Sequence, residues 1–205
     1  MDVAIDVVGA PTIVVGHSFG ALLAIAAAAE RPAWFRAVVS LDQVLDLDNF
    51  VDMVAATLGH WQAVRRAVVE AAGDVDALTR ALAAADGLAG RSGEQLSINE
   101  LEQVALRWSV QDPAVLDQLT PVRYRQWMAD PLLADLPSRY DGPLLCIDGD
   151  PAAGSIVSER TAQRHRQLYP DSRQVRLEGV GHDLGRNDDP HRVVDAMRPF
   201  LRDVA

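Results

Sequence analysis

The segment Thr12–Ala29 constrains the fold of this chain more than any other stretch. A short apolar run ends at the pentapeptide Gly16–Gly20, which reads GHSFG, and an alanine- and leucine-rich segment follows without a polar residue until Glu30. This order predicts a buried strand, a sharp turn and a helix, with Ser18 at the apex of the turn. We expect Ser18 to adopt a strained backbone conformation, and the close passage of the backbone to require glycine at positions 16 and 20.

The composition indicates a soluble globular protein and excludes several kinds of partner and chemistry. The 205 residues carry a formal net charge of −10, which argues against a nucleic-acid or anionic-membrane partner. All 19 basic residues are arginine, so the chain has no catalytic lysine. Its single cysteine, Cys146, lies in an apolar run, and we expect it to be buried and unpaired. Because the sequence shows neither a signal peptide nor a membrane span, the expected compartment is the cytoplasm.

The order of the predicted elements favours an α/β fold, with a parallel sheet and flanking helices. A second strand, 37–41, follows the first helix and ends at Asp42. Strand, helix and strand within so short a segment predict a parallel βαβ unit. Further strands are predicted at 143–148 and 174–177, and each is followed by a helical pattern.

The middle of the chain has a different pattern. Residues 43–139 show helical periodicity only, and this segment is too long for a loop. We therefore expect a core made of residues 1–42 and 140–205, and a helical lid formed by 43–139 and inserted between core strands. Three tryptophans of the lid are candidates for the walls of a substrate pocket, although they also suit plain packing between lid helices: Trp61, Trp108 and Trp127.

Along nearly its whole length the sequence resembles the α/β-hydrolase family. The resemblance rests on the order of five features: GHSFG at 16–20, the strand ending in Asp42, the helical insertion, PLLCIDGDPAAG at 143–154, and GVGHDL at 179–184 before a C-terminal helix. It implies that the pentapeptide is a nucleophile elbow, with Ser18 as nucleophile and His182 as general base, in the family's chain order of serine, acid and histidine. The backbone N–H of Phe19 would then be a donor of the oxyanion hole.

The histidine that best suits the base is His182. A serine hydroxyl is a weak nucleophile until an imidazole removes its proton, and the imidazole needs a carboxylate that fixes its tautomer. Of the five histidines, only His182 follows a predicted strand on a glycine-flanked loop. His17 lies inside the pentapeptide, and we expect its side chain to face away from the apex.

The sequence leaves three aspartates as candidates for the acid. In the family it commonly lies three residues after the glycine that ends the third strand seen here, and that position is Ala152, which has no carboxylate. A recognised variation of the fold puts the acid after the strand that follows the elbow helix, where Asp42 stands. We prefer Asp42 and keep Asp150 as the alternative acid. Asp148, at the end of the third strand, is a further candidate.

The resemblance also implies a shortened core. Only seventeen residues precede Ser18, enough for a short helix and one strand. The family usually has four strands there, with a His-Gly-type loop that supplies a second oxyanion donor, and no later part of this sequence resembles that loop. We therefore expect an N-terminally shortened family member, from a truncated gene model or a genuinely short protein. Thr12–Val15 would then be an exposed apolar sheet edge through which the chain forms a homo-oligomer.

These features predict a serine hydrolase that cleaves an ester or similar acyl bond of a small, fairly apolar substrate without a cofactor. The sequence has no cluster of metal-ligating residues at metal spacing and no glycine-rich phosphate loop. Two alternatives stay open. The same fold carries C–C hydrolases, haloperoxidase-like enzymes and cofactor-free oxygenases that use a histidine–aspartate pair. The chain could also be a catalytically weak or inactive fragment of the family.

Overall fold

The computed structural model describes residues 7, 9–84, 98–118, 120–184 and 191–205. Four strands of this part of the chain form one parallel sheet in the order β1–β2–β3–β4. Their bounds are Thr12–His17 for β1, Phe35–Leu41 for β2, Leu144–Gly149 for β3 and Arg173–Leu177 for β4. The predicted α/β fold with a parallel sheet is confirmed, and each strand lies close to its expected position.

Helices connect these strands, because parallel neighbours need a crossover from one end of the sheet to the other. Helix α1 (Phe19–Glu30) and a 3₁₀ turn (Pro32–Trp34) join β1 to β2. The described helices between β2 and β3 are α2 (Leu47–Ala71), α3 (Val75–Ala84), α4 (Ile98–Ser109), α5 (Pro113–Leu116), α6 (Pro121–Met128) and α7 (Leu136–Arg139). A 3₁₀ turn (Pro151–Ala153) and α8 (Glu159–Leu168) then join β3 to β4, and α9 (His191–Val204) follows β4.

The sheet forms the centre of an apolar core. Every residue of β3 is buried, as expected for an inner strand of a parallel sheet covered on both faces. Leu145 and Ile147 of β3 belong to a buried cluster with Val193 and Phe200 of α9. Burial of side chains of this size contributes about 1.5–3 kcal/mol each, so the core fixes the strands whose ends carry the candidate site.

Two of the three expectations for the turn between β1 and α1 are confirmed, and one is wrong. Ser18 has φ 54°, which is the left-handed region that side chains rarely adopt. A Cβ atom on Gly16 would collide with the backbone of Gly20 and Ala21, so this position requires glycine. A Cβ atom on Gly20 would meet no heavy atom within 4 Å, and the expected steric need for glycine at position 20 is therefore wrong.

The chain divides into two compact units. One consists of Met1–Phe50 and Met128–Ala205, and the other of Val51–Trp127. The second unit has an apolar core of its own, formed by α2, α3, α4 and α5, whose most deeply buried members are Val64, Leu78, Leu82 and Ala105. Part of the segment 43–139 lies outside the described residues, and its role as a lid stays a prediction. None of the helices that the structure describes has the length and apolar character needed to cross a membrane.

Strand β1 lies at one edge of the sheet. In the described part of the chain its ladder partner is β2 alone, which occupies the opposite side from the free edge. Most of its side chains are half-buried, and Val15 is 46% exposed. Self-association through this edge stays a prediction.

Candidate active site

Ser18 is held at the carboxyl end of the sheet, between β1 and α1. Its backbone N–H donates to the carbonyl oxygen of Leu41 at 3.0 Å, which ties the turn to the end of β2. Its Oγ lies 3.1 Å from Nε2 of His182, a partly exposed side chain on the loop after β4. The expected nucleophile and the expected base are therefore within hydrogen-bond distance of each other.

The other ring nitrogen of His182 contacts Asp42. Nδ1 of His182 lies 2.8 Å from Oδ2 of Asp42. Because a carboxylate only accepts hydrogen bonds, the N–H of the neutral ring stands at Nδ1, and Nε2 is left to accept the proton of the Ser18 hydroxyl. Hydroxyl, imidazole and carboxylate thus form one hydrogen-bonded series, and general-base activation of a serine requires this arrangement.

The carboxylate of Asp42 is fully buried and surrounded by hydrogen-bond donors. Asp42 follows β2 in a left-handed conformation, with φ 44°. Oδ1 accepts from the backbone N–H of Gly149 at 2.8 Å and from the Ser155 hydroxyl at 2.5 Å. Oδ2 also accepts from the backbone N–H of Ile156 at 3.1 Å. Burial by itself would raise the pKa of Asp42, but hydrogen bonds from His182 and Ser155 outweigh burial and hold the pKa below its ordinary value.

Asp150, the alternative acid, has different partners. Its carboxylate accepts from the backbone N–H of Gly179 at 2.9 Å and from that of Ala152 at 2.8 Å, and these bonds lower its pKa. Its own backbone N–H donates to the carbonyl oxygen of Val180 at 2.6 Å. Asp150 therefore closes the turn after β3 and links it to the loop after β4, whereas Asp42 contacts the imidazole.

The loop after β3 is defined as residues 149–157, so that it includes Gly149, the last residue of the strand. It supplies every described donor to the Asp42 carboxylate other than His182. Nη1 of Arg176 on β4 donates to the carbonyl oxygens of Gly149, at 2.6 Å, and Val157, at 3.1 Å, so both ends of the loop are fixed on the neighbouring strand. A Cβ atom on Gly149 would lie 2.5 Å from the carbonyl oxygen of Val180, which shows how closely the loop approaches the segment before His182. Sequence reasoning missed Arg176 and the serine of this loop, because neither belongs to a recognisable motif.

His17 contacts His182, the residue whose imidazole faces Ser18. Its Nε2 lies 2.8 Å from the backbone carbonyl oxygen of His182, and the centroids of the two imidazole rings are 4.8 Å apart. The expectation that His17 faces away from the apex is therefore wrong. Because β1 continues through residue 17, its last side chain still projects from the sheet, beside the loop that follows β4.

The fold agrees with a comparison of the whole sequence. It matches the alpha/beta hydrolase family over residues 2–196, which is most of the chain. This chain is an α/β-hydrolase. No protein of curated function matches its sequence significantly.

Solved structures of other hydrolases are similar to this α/β-hydrolase. An E-2-(acetamidomethylene)succinate hydrolase has a TM-score of 0.63 and 22% identity, covering 98% of this chain and 71% of that chain. A carboxylesterase of the ammonia-oxidizing thaumarchaeon Nitrososphaera gargenis has a TM-score of 0.61 and 14% identity, covering 99% and 69%. An N-formylmaleamic acid deformylase from Pseudomonas putida has a TM-score of 0.57 and 13% identity, covering 91% and 66%. Likeness at such identities concerns the fold.

The three tryptophans of this α/β-hydrolase that were expected to line a pocket lie in the second unit. Trp61 and Trp108 contact each other, with ring centroids 5.8 Å apart, and pack against the apolar core of that unit. Trp127 makes an edge-to-face contact with Tyr124 at 4.9 Å. These contacts suit packing within the unit, and the role of the tryptophans as pocket walls stays a prediction.

A buried histidine supports the segment that follows Asp42. His165 of α8 is fully buried, and its Nε2 accepts a hydrogen bond from the backbone N–H of Leu45 at 3.0 Å. Burial lowers the pKa of His165 to about 4, so the ring is neutral at pH 7 and able to accept this bond. Protonation of the ring would remove the acceptor and place a charge in the core.

We expect His165 to stabilise the fold more at neutral than at acidic pH. Because its pKa lies below the ordinary 6.5 in the folded chain, its contribution is fully present above pH 6.5 and falls by about 3 kcal/mol as the pH approaches 4. Urea unfolding of the wild type and His165→Gln measures this: the difference in unfolding free energy should shrink by about that amount between pH 7.5 and 4.

The wild type has to be compared with His165→Gln, because the carboxyl group of Asp148 changes the stability with pH in the opposite direction. Burial and the nearby charge of Asp42 raise the pKa of Asp148 to about 7, which favours the folded chain as the pH falls below that value. This contribution is common to the wild type and His165→Gln and cancels in their difference. A difference that is the same at every pH would contradict the prediction.

Proposed function

We propose that this α/β-hydrolase is a serine hydrolase that cleaves an ester or similar acyl bond of a small, fairly apolar molecule. The observation that carries the proposal is the hydrogen-bonded series from the Ser18 hydroxyl through His182 to the buried carboxylate of Asp42. A carboxylesterase and a deformylase among the structurally similar proteins support the same reaction class. We expect the protein to act in the cytoplasm on its small substrate, with neither nucleic acid nor membrane as a partner.

In the first half of the proposed reaction, Ser18 becomes acylated. Nε2 of His182 takes the hydroxyl proton while Oγ attacks the acyl carbon, and the carbonyl electron pair moves onto oxygen to give a tetrahedral oxyanion. Asp42 holds the Nδ1–H and stabilises the imidazolium. The backbone N–H of Phe19, the first residue of α1, donates to the oxyanion at the positive end of the helix dipole. Collapse of the intermediate expels the alcohol, which takes its proton from His182.

In the second half, water releases the acyl group. His182, neutral again, takes a proton from water, and the resulting oxygen attacks the acyl carbon of the ester on Ser18. The second tetrahedral intermediate collapses, the C–O bond to Ser18 breaks, and the imidazolium returns the proton to Oγ. The carboxylic acid leaves and the starting hydrogen-bonded series is restored, so no external oxidant or cofactor enters the balance.

An apolar substrate is supported by the side chain next to the nucleophile. Phe19 stacks on Phe50, with ring centroids 6.1 Å apart and planes inclined by 17°. Phe50 is 3% exposed, so the pair joins the turn after β1 to the buried core. An acyl group bound beside Ser18 would lie next to an aromatic surface, which favours apolar groups over charged ones.

Labelling with a fluorophosphonate tests the proposal directly. The probe phosphonylates a serine that is activated by a base, so we expect one adduct per chain, located on Ser18 by peptide mass spectrometry. Ser18→Ala should abolish the adduct. Ser138→Ala, which removes an exposed serine of α7, is the matched control and should label like the wild type.

The same experiment separates the other activities of the fold. A folded wild type that stays unlabelled would contradict the serine hydrolase, and would favour a histidine–aspartate oxygenase or an inactive fragment. Labelling without ester turnover would leave Ser18 as a nucleophile and move the proposal to another substrate class, such as the C–C bonds cleaved on this fold.

A further inference from the structure

The last residue of β1 is in direct contact with the residue that carries the proposed base. Nε2 of His17 lies 2.8 Å from the backbone carbonyl oxygen of His182, although the two residues are 165 positions apart in the chain. A carbonyl oxygen can only accept, so Nε2 of His17 carries the proton and donates it. The two rings are also neighbours, with centroids 4.8 Å apart and planes inclined by 37°.

The hydrogen bond from His17 restrains the backbone of His182, whose side chain must stay aligned with Ser18. The same carbonyl oxygen accepts from the backbone N–H of Leu184 at 2.9 Å, a bond within its own turn. The bond from His17 differs because it comes from the elbow, one residue from the nucleophile. It therefore fixes the distance between the elbow and the loop after β4, the same distance on which the 3.1 Å contact from Oγ to Nε2 depends.

We propose that His17 is a positioning residue, which holds the backbone of His182 so that its imidazole meets Ser18. The proposal rests on the proposed function for its kinetic consequence, but its structural part concerns the ring of His182 alone. His17 would touch neither substrate nor the reacting atoms. His17 would act on the alignment of the His182 imidazole. Proton transfer is sensitive to this alignment, because Nε2 of His182 must lie within hydrogen-bond reach of the Ser18 hydroxyl.

Two substitutions separate the hydrogen bond from simple packing. His17→Leu removes the donor, and His17→Gln keeps a side-chain N–H that can reach the same carbonyl oxygen. With p-nitrophenyl acetate as the ester, we expect His17→Leu to lower kcat and kcat/KM equally, by about five- to tenfold, the equivalent of one net hydrogen bond. His17→Gln should stay within about twofold of the wild type. His191→Leu, which changes another exposed histidine, is the matched control and should behave as the wild type.

A double-mutant cycle shows whether His17 acts through His182. In a His182→Ala background the imidazole is gone, so adding His17→Leu should change the residual turnover by less than about twofold. An undiminished five- to tenfold loss in that background would overturn the proposal, because His17 would then act by another route. Equal losses for His17→Leu and His17→Gln, or no loss for either, would also overturn it.

One readout does not depend on turnover. In isotopically labelled protein, the carbonyl carbon resonance of His182, which reports the hydrogen bond from His17, should shift in His17→Leu and stay near its wild-type position in His17→Gln and His191→Leu. An unchanged carbonyl carbon resonance of His182 in a folded His17→Leu protein would overturn the proposal even if the enzyme has no measurable activity. Failure of fluorophosphonate labelling in the wild type would instead contradict the proposed function, and this resonance would still decide the role of His17.

Discussion

Replacing Ser18 with alanine is expected to lower the turnover of p-nitrophenyl acetate by about 10⁶-fold, because the nucleophile and the base of such a series act as a unit. The substitution removes one oxygen atom from a half-buried position, so the unfolding temperature should change little. Steady-state kinetics together with a thermal melt checks both parts of the prediction. Only the turnover that comes from substrate binding and oxyanion stabilisation would remain.

The size of this effect distinguishes the activities that the fold can carry. A cofactor-free oxygenase that works through His182 and Asp42 would lose much less than a hydrolase when Ser18 becomes alanine. Ser138→Ala again serves as the control. Ester turnover that survives Ser18→Ala at more than about one-tenth of the wild-type rate would contradict the proposed role of Ser18.

The second large effect concerns the acid. Asp42→Asn is expected to lower kcat by about 10⁴-fold, since an amide at this position can donate to Nδ1 of His182 and hold the ring in the wrong tautomer. Asn can also no longer stabilise an imidazolium by its charge. The shape of the buried site is preserved, so circular dichroism of the variant should match that of the wild type.

Asp150→Asn is the matched variant for this test. Its carboxylate accepts two backbone N–H bonds at the surface and none from His182, so the amide oxygen of asparagine can keep part of the turn closed. We expect a loss of less than about tenfold, from small displacements of the loop after β3. Full activity of Asp42→Asn together with inactivity of Asp150→Asn would reverse the assignment of the acid.

The sequence predicted the elements that obey local rules. The strand, the turn and α1 follow from hydrophobic periodicity and from a glycine at position 16 that the backbone cannot do without. The parallel sheet follows from the alternation of strands and helices, and parallel strands bring their carboxyl ends to one edge. Ser18 and His182 could be expected near each other for this reason, because each follows a strand of the same sheet.

The sequence could not decide in the same way which aspartate is placed to act as the acid. Asp42, Asp148 and Asp150 all stand at or just after the ends of the adjacent strands β2 and β3, so strand order places all of them at one edge. Their different environments arise from the loop after β3, which delivers its N–H groups and one hydroxyl to Asp42. Such loop geometry depends on backbone turns and long-range contacts that have no sequence period.

His17 was misjudged for a related reason. Its position in the pentapeptide is fixed by local sequence, but its partner is the backbone of a loop more than a hundred residues later. A main-chain carbonyl oxygen leaves no trace in the sequence, because every residue has one. A contact of this kind can be recognised only when the position of the loop in the fold is known.

The support of Asp42 by the loop after β3 has a consequence for how such a site can change during evolution. Two of the donors in that loop are the backbone N–H groups of Gly149 and Ile156, which need no particular functional group in a side chain, although position 149 itself has no room for a Cβ atom. With Asp42 after β2 as the proposed acid, the chain does not need an acidic residue at the family's usual position after β3, and an alanine can stand at position 152. Position 152 can then change in sequence while the backbone that holds the carboxylate stays in place.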